Sequence, residues 1–301
     1  MAESIRRADS RPSNELRELT IAYDGLSRAD GSARFGFGTT PFFFSPSFSF
    51  LLNWSRSGLD KALASVSGPI EVRLAAEQPS RATFEVTVRP LSAVPGTEAK
   101  SLAVSIRTAL TPSLLLAQHP RSLIQLVIQS LTPTRTTLPP SLVASIINAS
   151  TVALINTGSV PMRGTICAVA VARLHTMSMP SVGYLVLDPS DTETATATAS
   201  GCFAFLFAHG LGAPGNGHPT EQPDKISCES VWTTWHANGG SFTEDELVRA
   251  QELAKAGAER VRQAMKDSVR SMNAQPDQWK KALRVRSHAN AEPDDDAMET
   301  S

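Results

Sequence analysis

Few of the residues that commonly do chemistry stand at spacings that would let them act together. The six histidines never fall near a cysteine or an aspartate at metal-ligand spacing. The cysteines, Cys167, Cys202 and Cys228, are far apart and odd in number, so neither a metal site nor a disulfide framework is predicted. The glycine-rich stretch from His209 to His218 lacks the Lys-Ser/Thr pair and the helix that follow a phosphate-binding loop. We therefore expect no cofactor.

Basic and aromatic side chains supply the candidates for nucleic-acid contact. Arg73, Arg81 and Lys100 could bind phosphates along an RNA path. Trp232 and Trp235 could stack on bases, although packing in a strand is the simpler interpretation. The formal net charge is -1, so any RNA contact must come from a local basic patch or from partner chains.

Periodicity predicts the elements that would position these residues. Of the 301 residues, 41% are hydrophobic, enough for a substantial core. Helices are expected at 97–109, with Thr97 as cap, at 141–156, and from a capping box of Thr243 and Glu246 onward. The predicted strands are 33–37, 65–73 (two pieces turning at Gly68-Pro69), 82–88, 123–128, 165–172, 183–187 and 202–207. The pattern indicates α/β or α+β, with helices packed on sheets.

Several stretches, in this order and spacing, resemble the RNase PH family. The first is Arg28–Ala33 (RADGSA), followed by Phe35 and Gly38-Thr39. The others are 64–73, 82–91, 141–162, and Leu187-Asp188-Pro189 with Glu193. The resemblance covers roughly residues 16–271 and is closest to the eukaryotic exosome ring subunits that most resemble bacterial RNase PH. It implies a single domain with the RNase PH fold, two similar β-α-β halves, and assembly into a six-membered ring.

The resemblance also implies which residues would carry catalysis. Active members use inorganic phosphate to attack the terminal linkage of RNA, and they hold it with Gly-Gly-(Ser/Thr)-Arg at the start of the central helix. The matching residues here are Pro139-Pro140-Ser141-Leu142. Two prolines remove N–H donors, and Leu142 carries no charge. Of two family aspartates six positions apart, Asp188 matches the first, whereas Thr194 stands at the second.

These positions are interpreted as degenerate, and none is predicted to be catalytic. The degenerate positions are Ser141, Leu142, Asp188 and Thr194. Asp191 or Glu193 could replace the lost carboxylate if the loop shifted, but a solvated turn at Asp188-Pro189 is the simpler interpretation. The remaining role expected for Ser141 is to cap the helix.

One domain is expected at 15–272, between a disordered N-terminus at 1–14 and a disordered acidic tail at 273–301. An exposed loop is expected at 209–227 and an atypical insertion at 40–61. Within the insertion, Pro41–Leu52 contains only Pro, Phe, Ser and Leu, all of which pyrimidine codons can encode. It is therefore either a retained intron or a real loop extending a hairpin. It is too short and too interrupted to span a bilayer, and the polar N-terminus argues against secretion.

The resemblance thus predicts a non-catalytic structural subunit of the RNA exosome ring, not an enzyme. It would support 3'-to-5' RNA processing and decay by scaffolding the ring and threading RNA. The expected partners are other RNase-PH-like subunits in a hetero-hexameric ring and single-stranded RNA, without a membrane. The expected location is the nucleus and nucleolus, and also the cytoplasm. Two alternatives stay open: a phosphorolytic 3'-to-5' exoribonuclease with a reorganised site, and a free-standing RNA-binding module, which the near-neutral charge disfavours.

Overall fold

Nine β-strands and four α-helices make up the part of the chain that the computed structural model describes. The described residues are 7, 9–23, 25–26, 28–38, 60–91, 96–132, 138–176, 179–209, 226–238 and 240–274. The strands are β1 (Leu19–Ala22), β2 (Gly31–Phe37), β3 (Asp60–Glu71), β4 (Thr83–Arg89), β5 (Ser122–Ser130), β6 (Gly164–Thr176), β7 (Met179–Leu187), β8 (Ala199–His209) and β9 (Ile226–Ala237). The helices are α1 (Thr97–Leu110), α2 (Pro140–Thr157), α3 (Asp191–Thr196) and α4 (Glu244–Ala274).

The strands form two sheets, one in each half of the chain. The first has the order β1-β2-β3-β5-β4, and the second has the order β7-β6-β8-β9. In the first sheet, β4 pairs with β5 in parallel and α1 connects them, while the second sheet is antiparallel throughout. This arrangement confirms the predicted α/β class with helices packed on sheets.

Helix α2 is the centre of the core because it lies between the two sheets. It contacts β2 and β3 of the first sheet and β6 and β8 of the second. Every residue from Ser141 to Leu154 is buried, so the helix is apolar on all sides. It is the one described helix that is long and apolar enough to cross a membrane by composition, but most of it is enclosed by the protein's own sheets.

Helix α4 covers one face of the second sheet. Met265 contacts Cys167 of β6, and the guanidinium of Arg262 lies 5.6 Å from the ring centre of Phe207 in β8. The helix begins as predicted, since the Thr243 hydroxyl accepts a hydrogen bond from the backbone N–H of Glu246 at 3.3 Å. The Glu246 carboxylate does not complete a capping box; it pairs instead with Arg173 at 2.7 Å.

Local signals misplaced several features of the fold. The chain does not turn at Gly68-Pro69: β3 continues through it, with an irregularity in its pairing to β5 between Ser67 and Ile70. Thr97 is the first residue of α1, and its cap is Gly96. Helix α2 ends one residue later than expected, at Thr157, and Gly158 after it adopts the left-handed conformation of a C-terminal cap (φ 66°).

The segment before β1 also differs from the expectation. Residues 1–14 were predicted to be disordered, yet Arg7 is buried and donates hydrogen bonds to Glu193. The acidic tail beyond residue 274 and most of the loop 209–227 lie outside the described residues, although His209, Ile226 and Ser227 belong to strands. Most of the insertion 40–61 also lies outside them, but Asp60 and Lys61 open β3.

We expect the segment between β2 and β3 to be removable. Phe37 at the end of β2 pairs directly with Asp60 at the start of β3, so a short turn can join the two strands. Replacing residues 40–58 by a two-residue Asn-Gly turn should therefore shift Tm by no more than a few degrees, because loop length alone changes stability by about 1 kcal/mol. Calorimetry of the two chains checks this, and a loss of cooperative unfolding in the shortened chain would contradict it.

Candidate functional site

The start of α2 offers few donors to an anion. Pro139 is the N-cap residue and Pro140 is the first helical residue, so Ser141 lies inside the helix and is not its cap, contrary to the sequence-based expectation. The backbone N–H groups of Leu142 and Val143 both donate to the Pro139 carbonyl, at 3.0 and 3.2 Å. Of the four positions that match a phosphate clamp, Pro139 and Pro140 have no N–H, and the N–H of Leu142 is already bonded within the helix. At most the N–H of Ser141 can therefore be offered to an anion.

The side chain of Leu142 belongs to the hydrophobic core. It is fully buried and borders a small apolar cavity of about 20 Å³ between α2, α1 and the ends of β4 and β5. The lining residues are Val88, Pro90, Ala99, Leu102, Ser130, Leu138, Leu142 and Ile146. A residue at this position therefore contributes packing, and it has no path to a ligand at the helix start.

Ser141 faces a buried carboxylate instead of solvent. Its hydroxyl and Oδ1 of Asp60 are both buried without a hydrogen-bond partner of ordinary geometry. The hydroxyl still helps to lower the pKa of Asp60, against the larger effect of burial. The contact of the Ser141 hydroxyl with the Asp60 carboxylate is therefore electrostatic and not a well-formed hydrogen bond. Asp60 is further tied to α2 because its backbone carbonyl accepts a hydrogen bond from the Ser145 hydroxyl at 2.8 Å.

Asp188 is the centre of a buried ionic cluster. Its Oδ1 accepts from Nη2 of Arg17 at 2.6 Å, and its Oδ2 accepts from Nε and the backbone N–H of Arg17 at 2.9 and 2.8 Å. The same Nη2 donates to Oδ2 of Asp60 at 2.8 Å. Arg11 approaches Asp188 to 3.7 Å from the side. One guanidinium thus joins Asp188 to Asp60, and through Asp60 to the start of α2.

The remaining positions of the predicted carboxylate pair are also structural. The Thr194 hydroxyl donates to the Ser190 carbonyl within α3. Glu193 forms a capping box with Ser190 and binds Arg7 through both carboxylate oxygens, at 2.6 and 2.8 Å. Asp191 is an exposed first-turn residue of α3. Glu193 is therefore engaged by Arg7, whereas the charge of Asp191 acts on the cluster from the surface and helps to raise the pKa of Asp60.

The protonation behaviour of the cluster follows from burial and pairing. Burial raises the pKa of Asp60, and Arg17 opposes this only in part. Burial would lower the pKa of Arg17, but the charges of Asp188 and Asp60 reverse the effect and raise it. Burial would raise the pKa of Glu193, yet the hydrogen bond from Arg7 brings it below its usual value. Burial therefore favours the neutral form of Asp60, whereas pairing with Arg7 favours the charged form of Glu193.

The structure separates the three predicted RNA contacts. Arg73 and Arg81 are exposed at one end of the first sheet, because the end of β3 and the start of β4 both flank the start of β5. Arg121, which the sequence analysis did not single out, is exposed beside them and donates its backbone N–H to Gln78. Lys100 lies in the first turn of α1, beyond the opposite end of β4. The RNA contacts of Arg73, Arg81 and Lys100 remain predictions. Of these three residues, only Arg73 and Arg81 are close enough to belong to one surface patch.

Three charged residues of the cluster were missed by sequence reasoning: Arg7, Arg17 and Asp60. For Glu193, the fourth charged residue of this region, the sequence offered a partial signal of a structural role, since Ser190 and Glu193 have the spacing of a capping box. None was available for Arg17, because its partners stand 43 and 171 positions away. No group of three or more His, Cys, Asp or Glu residues that could hold a metal occurs among the described residues.

Comparison with known proteins bears on the family of this chain. The model of the RNase PH family (3' exoribonuclease family, domain 1) matches residues 15–159, from the approach to β1 through the end of α2. Residues 15–159 thus match an RNase PH family domain. The exosome complex component Rrp41 of Archaeoglobus fulgidus is 29% identical over 275 residues, which are 87% of this chain and 86% of the relative.

Two further similarities come from rice. The exosome complex exonuclease RRP46 homolog of Oryza sativa is 23% identical over 263 residues, which are 87% of this chain and 95% of the relative. The crystal structure of rice Rrp46 superposes with a TM-score of 0.62 at 21% identity, covering 87% of this chain and 99% of that one. The similarity of fold therefore extends past the matched family domain into the second sheet and α4.

Proposed function

We propose that this protein is a non-catalytic structural subunit of an RNA exosome ring. It would contribute an RNase-PH-like wall to a hetero-hexameric ring, together with related chains, and help to guide single-stranded RNA. The observation that carries the proposal is the start of α2, where two prolines remove amides, the N–H of Leu142 is bonded within the helix, and the Leu142 side chain is a core residue. The names of the relatives support the exosome as the assembly.

The cluster around Asp188 supports the same proposal. A general acid or a metal ligand needs a carboxylate that can reach the substrate. Both oxygens of Asp188 are instead buried and accept hydrogen bonds from Arg17. The position of the second family aspartate is occupied by Thr194. Such a network holds the loop after β7 against the start of β3, which is a structural task.

The alternative is a phosphorolytic 3'-to-5' exoribonuclease, and the name of the rice relative includes the word exonuclease. Such an activity would require a phosphate site other than the start of α2. We also propose that the protein acts in the nucleus and nucleolus and in the cytoplasm. Microscopy of the tagged protein tests this location, and confinement to another compartment would contradict it.

We expect no phosphate-dependent shortening of RNA by the purified chain. Without a clamp, phosphate has no ordered position for in-line attack, and loss of a single such contact already costs about 10²–10³-fold in rate. The measurement is release of nucleoside diphosphates from a labelled single-stranded RNA, with and without phosphate, for wild type and for Leu142→Ala. Phosphate-dependent release by wild type above the no-protein background would contradict the proposal and favour the exoribonuclease.

Assembly gives the positive side of the test. A subunit of a ring requires two contact faces, so co-expression with RNase-PH-like partners should give a complex that contains this chain. Size-exclusion chromatography with light scattering measures its mass. A chain that stays monomeric beside such partners, and binds RNA equally well alone, would favour the free-standing RNA-binding module.

A further inference from the structure

A second concave site lies at the far end of α2 from the degenerate clamp. It is a cavity of about 430 Å³ between the end of α2, the adjoining ends of β6, β8 and β9, and the later turns of α4. Ile155 of α2 lines it, about 21 Å along the helix axis from Ser141 at 1.5 Å per residue. The site is therefore separate from the positions that the family resemblance assigns to catalysis.

The cavity combines an apolar floor with a basic rim. Five apolar side chains form the floor: Ile155, Phe207, Ile226, Met265 and Val269. Among the described residues that line it there is no aspartate or glutamate, and four are lysine or arginine: Arg163, Arg262, Lys266 and Arg270. Two of these have acidic neighbours outside the cavity, since Arg262 pairs with Glu259 and Arg270 lies 3.6 Å from Asp267. The rim still carries an excess of positive charge, with Arg163 and Lys266 exposed.

This surface fits an acidic peptide better than RNA. Single-stranded RNA is held by aromatic faces on which bases stack, but Phe207 is only 5% exposed and Arg262 lies over its ring. Ile155, Ile226 and Val269 are partly exposed aliphatic residues, which suit an apolar side chain. The preferred ligand is a short segment in which carboxylates flank an apolar residue.

One segment of the sequence has this chemistry, and it follows a helix that lines the cavity. Residues 292–299 read EPDDDAME, with five carboxylates, no basic residue, and Met298 as an apolar side chain. Helix α4, whose residues from Arg262 to Arg270 line the cavity, ends at Ala274. Glu292 lies 18 positions after Ala274, a stretch of chain that can span up to about 60 Å. The cavity is about 12 Å long along α4 between Arg262 and Arg270. The chain between Ala274 and Glu292 is therefore long enough for the acidic segment to reach the cavity.

We propose that the acidic segment 292–299 of this chain binds the basic cavity between α2, β8 and α4. Met298 would occupy the apolar floor, and the carboxylates of Asp294–Asp296 would pair with the rim at Arg163, Lys266 and Arg270. Attachment to α4 raises the local concentration of the segment at the cavity. The protein would thus cover its own basic cavity, and an acidic segment of another molecule would have to displace it.

The test uses full-length chains and a fluorescein-labelled peptide of residues 290–301. Fluorescence anisotropy measures its binding to wild type and to D294N/D295N/D296N, in which the chain's own segment is largely neutralised. We expect the triple variant to bind the peptide at least about tenfold more tightly than wild type, because its own segment no longer competes. In the triple-variant background, K266E/R270E should weaken binding by about tenfold or more. R249E/K255E, with the same charge change on exposed residues of α4 outside the cavity, should alter it less than about twofold.

Three results would overturn the proposal. The first is absence of peptide binding to the triple variant, with circular dichroism showing that it is folded. The second is equal peptide affinity for wild type and the triple variant, which would mean that the segment does not occupy the cavity. The third is binding of a twelve-nucleotide oligouridine, but not of the peptide, in a manner that depends on Lys266 and Arg270. That result would make the cavity a nucleic-acid site.

Discussion

Replacing Asp188 by asparagine is expected to destabilise the fold by about 3–5 kcal/mol, the usual cost of removing one partner of a buried ion pair. Arg17 would lose the carboxylate that accepts from its Nε, its Nη2 and its backbone N–H, while its side chain is 9% exposed. The asparagine amide would also direct an NH2 group at donors of Arg17, since those donors now reach both carboxylate oxygens. At least one donor would lose its acceptor.

The backbone at Asp188 makes this variant informative. Its φ of 49° lies in the left-handed region, which asparagine and aspartate both tolerate. The substitution therefore changes charge and hydrogen bonding with little added backbone strain. Urea unfolding at pH 7 measures the loss, and a cost below about 1 kcal/mol would show that Asp188 is not the main counter-ion of Arg17.

Asp60→Asn is the matched control, and we expect it to cost no more than about 1 kcal/mol at pH 7. An amide oxygen can still accept from Nη2 of Arg17, and the substitution removes a charge whose burial raises the pKa of Asp60. Because the folded pKa lies above the unfolded one, protonation of Asp60 favours the folded state. In wild type this group should add stability as the pH falls through its folded pKa toward the unfolded value near about 4. Asp60→Asn should lose that increment.

Glu193 has the opposite effect on the pH dependence of stability, and its effect occurs at lower pH. The pKa of its carboxyl lies below the usual value, so its contribution is present above the unfolded pKa and is lost as the pH falls through the folded pKa. Urea midpoints between pH 7 and pH 3 for wild type and Asp60→Asn therefore separate the two groups. Parallel pH profiles for the two proteins would contradict the raised pKa of Asp60.

The elements that could be predicted from the sequence are those whose signal is local. The range expected for α2 was short by only one residue at each end, because the apolar run and the glycine that follows it, Gly158, are both visible in the sequence. The six-residue α3 was missed, although its Ser190–Glu193 capping box is visible in the sequence. Gly68-Pro69 indicated a turn, but pairing on both sides keeps β3 extended through it. Tertiary pairing there overrides the local preference.

The site divides along the same line. The resemblance located Ser141, Leu142 and Asp188, and the structure links Ser141 to Asp188 through Asp60 and Arg17, whereas Leu142 belongs to the core. The resemblance could not identify Arg17 and Asp60 as the link, because ion pairs between residues far apart in the chain produce no recognisable motif in a single sequence. Burial likewise follows from the packing of both sheets on α2, which is why the core role of Leu142 became evident only in the fold.

Replacing Ile146 by aspartate is expected to unfold the domain or to cost several kcal/mol, because the new carboxylate would have no partner in an apolar environment. Ile146 is 1% exposed on α2 and borders the same small apolar cavity as Leu142. The effect should be on stability and assembly, since the residue has no contact with any group that could do chemistry. Chemical unfolding and recovery of the chain in a complex with RNase-PH-like partners both report it.

Three comparison variants keep this expectation testable if Ile146→Asp cannot be purified. Ile146→Val removes one methylene group and should cost about 0.5–1.5 kcal/mol. Val104→Asp makes a similar change on α1 where the side chain is 54% exposed, and a surface change of this kind should cost about 0.5 kcal/mol. Ser141→Ala, in the same helix as Ile146, should stay within about 1 kcal/mol of wild type, because its buried hydroxyl has no hydrogen-bond partner to lose. A greater loss for Ser141→Ala than for Ile146→Val would mean that the contact of Ser141 with Asp60 matters more than the packing of α2.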